Sequence, residues 1–379
     1  MIKPVRIIKY LCTSPTWKQS IIMSFEALGI PQDLIRTLEN EKYKKPFPIQ
    51  EQAIPVILAK KDVLGIAPTG SGKTASYVIP ILMNLQRSEI RENRHVKTLV
   101  LVPTRELAQQ VREIFHVFSF ALPKSTKSMA VFGGVSINPQ MIGMQGVKIL
   151  VATPGRLLDL VRSKALHFSE LETLVLDEAD KMLNMGFKEE MEKIFSLLPE
   201  RRQNLLFSAT LSPQVENIKD IILRKPLVVH IKPKEDHIDK IHQHGFFVEP
   251  DKKGQLLRHL IKSKNMQQVL VFTSSTYQAD HVTNKLLKNG LDARAIHGKK
   301  SQHARTVALK DFKSGKLRIL VATDLLARGI DIEFLPYVIN YELPRSPKDY
   351  IHRKEELGEQ KLQARLFLSW RRMTWRILK

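Results

Sequence analysis

The sequence predicts an α/β protein built from two doubly wound, mostly parallel sheets in tandem. Three observations predict it. Short, continuously apolar runs alternate with helix-like segments from Val63 to Ala209, as parallel strands buried on both faces do. A glycine-rich turn ending in Lys-Thr follows the first of these runs. A second alternating set comes after a proline-containing break between Ile221 and Asp251, and it has no such turn.

Composition narrows the class further. The chain has enough hydrophobic residues (43%) for ordinary cores. No apolar run approaches the ~20 residues that span a bilayer, so no membrane partner is expected. Residues 1–22 have a basic start without a signal-peptide core and do not resemble the rest. They read as a leader, either a disordered arm or an upstream extension. The single Cys12 excludes an intrachain disulfide framework and a cysteine zinc site, and it fits a reducing cytoplasm. The histidines show no metal-ligand spacing. A net charge of +22 points to a polyanionic partner. Nothing requires an oligomer, and a monomer is expected.

Residues 23–231 form the first expected domain. Lys45 to Gln50 precedes the glycine-rich turn, and the Gln50 amide can pair with a donor and an acceptor on an adenine edge. Phe25 can stack on the base. Strands are expected at Val63–Ala67, Thr98–Val102, Met129–Phe132, Val147–Ala152, Thr173–Leu176 and Asn204–Phe207. The turn is Ala67, Pro68, Thr69, Gly70, Ser71, Gly72, Lys73, Thr74, followed by a helix from Ala75 to Leu85. Strand, glycine turn, Lys-Thr and helix make a phosphate-binding loop. Its backbone N–H groups converge on one anion, and the helix adds its positive dipole end. Lys73 can reach the β- and γ-phosphates of ATP, and the Thr74 hydroxyl can ligate Mg²⁺. Ala67 stands where the strict pattern has glycine.

Functional loops of such a sheet lie at the carboxyl ends of its strands. Asp177 and Glu178 end one strand; Asp177 can hold Mg²⁺ and Glu178 can orient or deprotonate the attacking water. Ser208 and Thr210 end the next, with hydroxyls that can couple nucleotide state to structure. Pro103, Thr104 and Arg105, then Gly133 and Gly134, then Thr153, Pro154, Gly155 and Arg156 also follow strands. Together they offer hydroxyls, arginines and free N–H groups to a sugar-phosphate backbone, without reading bases. A linker is expected at 232–244. A second domain at 245–353 has strands at Gln268–Phe272, Ala293–Ile296, Arg318–Ala322 and Tyr337–Asn340. Without a phosphate loop, it should not bind ATP by itself.

These motifs, in this order, resemble a DEAD-box RNA helicase, and the likeness covers Phe25 to Arg353. Asp177-Glu-Ala-Asp180 matches the family's name, and Phe25 with Gln50 its adenine-reading motif. Lys42 stands where glycine is usual and Phe47 where threonine is. The stretch from His297 through Gln302 and Arg305 is similar to the bacterial RhlE-type subgroup. The resemblance implies two RecA-like domains that close on ATP, Mg²⁺ and single-stranded RNA and separate short duplexes locally. It implies RNA contacts at Gln302, Arg305 and Thr323, and catalytic contributions from Arg328, Asp331 and Arg353.

The family's final motif, His-Arg-Ile-Gly-Arg-Thr-Gly-Arg, breaks off after Arg353. Its later arginines, which reach the γ-phosphate as arginine fingers, are replaced from Lys354 onward. Read one base out of register, synonymous codons for Lys354 to Lys361 spell Gly-Arg-Thr-Gly-Arg-Ala-Glu. Residues 354–379 therefore read as an out-of-frame tail without a clear strand. The second domain is expected to be incomplete and the family activity severely impaired. The alternative is an ATP-regulated RNA-binding protein with little turnover.

Overall fold

The computed structural model describes residues 24–68, 70–86, 94–231, 242–323, 335–343 and 365–370. The leader, Thr69, residues 232–241 of the expected linker, Arg328, Asp331 and Arg353 lie outside the described residues.

The first domain opens with α1 (Gln32–Asn40) and α2 (Pro48–Leu58). The alternation then begins: β1 (Val63–Ile66), α3 (Lys73–Leu85), β2 (Thr98–Leu101), α4 (Arg105–Phe120), β3 (Ser128–Val131) and α5 (Asn138–Gly143). It continues through β4 (Ile149–Ala152), α6 (Pro154–Arg162), β5 (Thr173–Leu176), α7 (Ala179–Asn184), α8 (Lys188–Phe195), β6 (Gln203–Ser208), α9 (Pro213–Ile222) and β7 (Leu227–His230). The seven strands make one sheet in the order β3-β4-β2-β5-β6-β1-β7, and each pairing is parallel. Successive residues of a strand point to opposite faces. Val100 of β2 accordingly joins one apolar core, while Leu99 and Leu101 join the other. Helices cover both cores, which is why these strands read as unbroken apolar runs.

The second domain is built in the same way. Its elements are β8 (His242–Phe247), α10 (Lys253–Ser263), β9 (Val269–Thr273), α11 (Thr276–Leu287), β10 (Ala293–Ile296), α12 (Gln302–Lys313), β11 (Ile319–Thr323), β12 (Tyr337–Asn340) and β13 (Arg365–Trp370). The sheet runs β10-β11-β9-β12-β13-β8. Leu270 and Phe272 enter one core, Val269 and Val271 the other.

Three strands differ from expectation. Leu227–His230 pairs with β1 at the sheet edge; half-exposed, it lacks the continuous apolar signature. His242–Phe247 is a strand, so the expected linker's last residues, His242 to His244, belong to the second domain. The third difference corrects the expectation of a strandless tail and a gap in the second sheet. Arg365–Trp370 pairs in parallel with β12 on one side and β8 on the other. The run Leu366-Phe-Leu368 is β-favouring, and it covers two strands that would otherwise present bare edges.

Candidate active site

At the end of β1 the chain turns through Gly70 at φ +83° and Gly72 at φ +82°, a left-handed region open to glycine at little cost. Gly72 is also hemmed in: a Cβ there would lie 2.6 Å from Gln50 Nε2 and 2.9 Å from Phe47 Cδ2. The turn delivers Lys73 and Thr74 into the first turn of α3. Lys73 Nζ donates to the carbonyls of Ala67 at 2.7 Å and Pro68 at 2.8 Å. Ser71 Oγ donates to the same Pro68 carbonyl at 2.7 Å. Burial lowers the Lys73 pKa, and the charges of Asp177 and Glu178 oppose that shift.

Parallel pairing sets the end of β5 two strands from this loop, with β6 between. Asp177 and Glu178 follow β5. Asp177 Oδ1 accepts from the Glu178 N–H at 2.9 Å and Oδ2 from the Tyr77 hydroxyl at 2.8 Å. Glu178 adopts φ +54°, rare for a residue with a side chain. Its Oε1 accepts from Lys181 Nζ at 2.7 Å, while Oε2 is buried with no hydrogen-bond partner. Burial pushes both carboxyls above the usual range; the Lys73 charge opposes this most at Asp177, and Lys181 at Glu178. Thr210 Oγ1 donates to Asp180 Oδ2 at 3.0 Å, and Ser208 Oγ to the Thr210 carbonyl at 2.8 Å. The end of β6 is thereby tied to α7, which begins directly after Glu178.

The site can thus present loop N–H groups and an ammonium to a polyphosphate. Asp177 and Thr74 supply the hard oxygen donors that suit Mg²⁺. Among the described residues no three or more His, Cys, Asp or Glu side chains gather as a metal cage. A cation that keeps its waters and binds through phosphates needs only one or two protein oxygens. The unpartnered Glu178 Oε2 and the folded-back Lys73 both fit a polar ligand here.

Phe25 and Gln50, the two expected adenine contacts, both occupy buried positions. Phe25 is 5% exposed, inside the core with Leu28, Ile30 and Leu34; its apolar ring is held there by burial. Gln50 is fully buried, and its amide is already engaged: Oε1 accepts from the Phe47 N–H at 3.0 Å and Nε2 donates to the Gly72 carbonyl at 3.1 Å. It clamps α2 to the phosphate loop. The ring available beside Gly72 is Phe47, 38% exposed and edge-on to Tyr43. In the sequence Phe47 stands out only as a departure from the family. Its spacing, three residues before Gln50, is the signal that it begins the same helix.

The expected nucleic-acid residues gather at the carboxyl ends of β2, β3 and β4, adjacent in the sheet. Pro103 is buried, and Thr104 caps α4 by accepting from the Leu107 N–H at 3.2 Å. The Arg105 guanidinium lies against Gly134, where a Cβ would collide with it. Gly133 and Gly155 face open space. Thr153 precedes Pro154 at the start of α6, and Arg156 Nη2 donates to the Val135 carbonyl at 2.8 Å. Thr323 ends β11 of the second sheet. Burial, followed by the Arg305 charge, lowers the Arg105 pKa; Arg156 adds a smaller push. Arg305 itself is 3% exposed and paired with Glu106 on α4, with Gln302 Nε2 3.5 Å from the same carboxylate. Both second-domain residues thus contact Glu106 of the first domain. In the sequence Glu106 reads as an ordinary first-turn acid on α4.

A phosphate loop beside paired carboxylates, joined to a second sheet of the same kind, defines a P-loop nucleotide-binding protein with two RecA-like domains. The DEAD/DEAH box helicase family matches residues 47–218, and the helicase conserved C-terminal domain matches residues 252–357. The DEAD-box ATP-dependent RNA helicase CshA of Streptococcus pneumoniae serotype 4 is 41% identical over 87% of this chain. The chain spans 62% of that relative's length. CshA of Geobacillus kaustophilus is 37% identical over 88% of this chain and 71% of its own. Among solved structures, S. cerevisiae Dbp5 bound to RNA and ADP BeF3 aligns with a TM-score of 0.82 at 27% identity, covering 94% of this chain and 91% of that one. The chain belongs to the DEAD-box RNA helicase family. No helix among the described residues is long and apolar enough to cross a membrane.

Proposed function

We propose that this chain is an RNA-dependent ATPase that separates short RNA duplexes locally, with turnover severely reduced by the loss of the arginine fingers beyond Arg353. One observation carries the reading: Lys73, Asp177 and Glu178 converge behind one glycine-rich loop. On binding ATP, Lys73 exchanges the Ala67 and Pro68 carbonyls for the β- and γ-phosphates, while the loop N–H groups hold the remaining oxygens. Thr74 and Asp177 would hold Mg²⁺, which supplies positive charge against the phosphates. Glu178 orients the attacking water, and the Thr210–Asp180 hydrogen bond passes the state of the site to β6. Arg105, Arg156 and the glycines beside them bind the backbone of a single strand without reading bases. The Dbp5 structure, with RNA and ADP BeF3 bound, supports this division of labour. The stretch from His297 to Arg305 supports a place near the RhlE-type subgroup. A monomeric, cytoplasmic protein fits the same reading.

A specific observation favours the second reading, an ATP-regulated RNA binder with little turnover. The arginines expected after Arg353 are replaced by Lys354-Glu-Glu-Leu-Gly-Glu-Gln360. An arginine finger contributes roughly 10³–10⁵ in rate, or about 4–7 kcal/mol of barrier. RNA-stimulated ATP hydrolysis is to be compared between this chain and one carrying Ile-Gly-Arg-Thr-Gly-Arg and its in-frame continuation after Arg353. Hydrolysis by the restored chain alone supports an out-of-frame tail. Equal rates remove the case for impairment, and no hydrolysis by either removes the case for an ATPase.

A further inference from the structure

Helix α3 carries a buried polar group to which the proposed chemistry gives no role. Tyr77 lies one turn beyond Lys73, at the i+4 spacing that puts both on one helix face. It is fully buried. Its ring packs on Phe207, with centroids 5.3 Å apart, and on Phe115, at 6.3 Å. A phenylalanine would fill that space equally well, and a buried hydroxyl costs free energy unless it finds a partner. The Tyr77 hydroxyl donates to Asp177 Oδ2, at 2.8 Å, and has the Thr74 side chain as a further hydrogen-bonding neighbour.

The consequence falls on Asp177. One carboxylate oxygen is held by a backbone N–H and the other by the tyrosine. The two donors come from different parts of the fold, the turn after β5 and the middle of α3. The carboxylate is therefore fixed in rotation, and it keeps acceptor capacity, since an ionised carboxylate has about four lone-pair sites. Tyr77 also leans on Phe207, directly before Ser208, and so joins the phosphate-loop helix, the carboxylate strand and the strand that leads to Thr210.

We propose that Tyr77 is a positioning residue for the metal-binding carboxylate: its hydroxyl holds Asp177 in the orientation in which it receives a divalent cation carried by the nucleotide. The inference rests on the reading of this site as a nucleotide site. Residues that orient a metal ligand commonly change metal affinity by one to two orders of magnitude when removed.

The test is nucleotide binding rather than turnover. Binding of fluorescent ADP to the full chain is measured in EDTA and across a Mg²⁺ titration, for the natural chain, Tyr77→Phe, Asp177→Asn and the double variant. For Tyr77→Phe, the Mg²⁺ concentration for half-effect should rise roughly tenfold, with metal-free affinity unchanged. In the Asp177→Asn background the phenylalanine should add much less than it costs alone, because the hydroxyl acts chiefly through that carboxylate. An unchanged Mg²⁺ dependence overturns the proposal. So does an equal loss with and without Mg²⁺, which a purely structural tyrosine would give, and so does a full additional loss in the asparagine background. If the natural chain binds ADP in neither condition, the nucleotide-site reading fails and takes this inference with it. If it binds and only the Mg²⁺ shift is missing, the inference fails alone.

Discussion

Glu178 combines three unfavourable features. Its backbone is left-handed, its side chain is mostly buried, and its Oε2 is buried with no hydrogen-bond partner. A non-glycine residue held in that backbone region costs on the order of 1–3 kcal/mol. Such strain persists where the surroundings over-determine it: Asp177 Oδ1 holds the Glu178 N–H, and Lys181 holds the Glu178 carboxylate. That lysine is itself buried and lies 2.7 Å from Glu178 Oε1. Removing one member of a buried pair typically destabilises by about 3–5 kcal/mol. Lys181→Met should therefore lower the melting temperature of the chain. Lys181→Met combined with Glu178→Gln should recover most of the loss, because no uncompensated carboxylate remains. Differential scanning calorimetry of the two variants checks this. The motif made Glu178 recognisable in the sequence, but its strain and its lysine were not. Both arise from how the turn after β5 closes onto α7.

At the scale of elements, the first sheet was largely legible because its strands are buried on both faces. Val63, Leu64 and Ile66 read as β1 without help from any neighbour. Gly65 did not reveal its purpose in the same way. A Cβ there would lie 2.5 Å from Phe207 Cδ1 on the adjacent strand β6. Overpacking of this kind costs typically about 1–3 kcal/mol. Gly65→Ala should lower stability in urea by that amount, and Phe207→Leu in the same chain should restore part of it. Two of the strands that escaped notice share one physical cause. Leu227–His230 lies at an edge, and His242–Phe247 begins with polar residues; neither shows a periodicity of its own. Their partners supply the order, and those partners are remote in sequence. The same holds for Tyr77, whose hydroxyl means nothing until α3 and β5 are brought together.

At the scale of the whole molecule, Glu106 and Arg305 join α4 of the first domain to α12 of the second, and both are 3% exposed. A charge pair sealed from water between two domains is held by its own geometry, and either partner alone would draw water in. Arg305→Ala should loosen the contact and raise the radius of gyration of the ligand-free chain in small-angle X-ray scattering. Glu106→Ala should do the same, and the two together no more than either alone. An unchanged radius in both variants would show that other contacts hold the domains.

The placement of β13 has a consequence for how the chain is made. The strand that opens the second domain, His242–Phe247, has Arg365–Trp370 as its one sheet neighbour among the described residues. During synthesis, nearly the whole domain leaves the ribosome before that partner does. Until then β8 waits unpaired and β12 presents an open flank, and such species are the ones prone to wrong association. Closing so long a loop late also slows folding, since distant pairings are reached last. The second domain thus joins the two ends of its sequence last, side by side at one edge of its sheet, and its yield in the cell should depend on the interval between translating its first strand and its last.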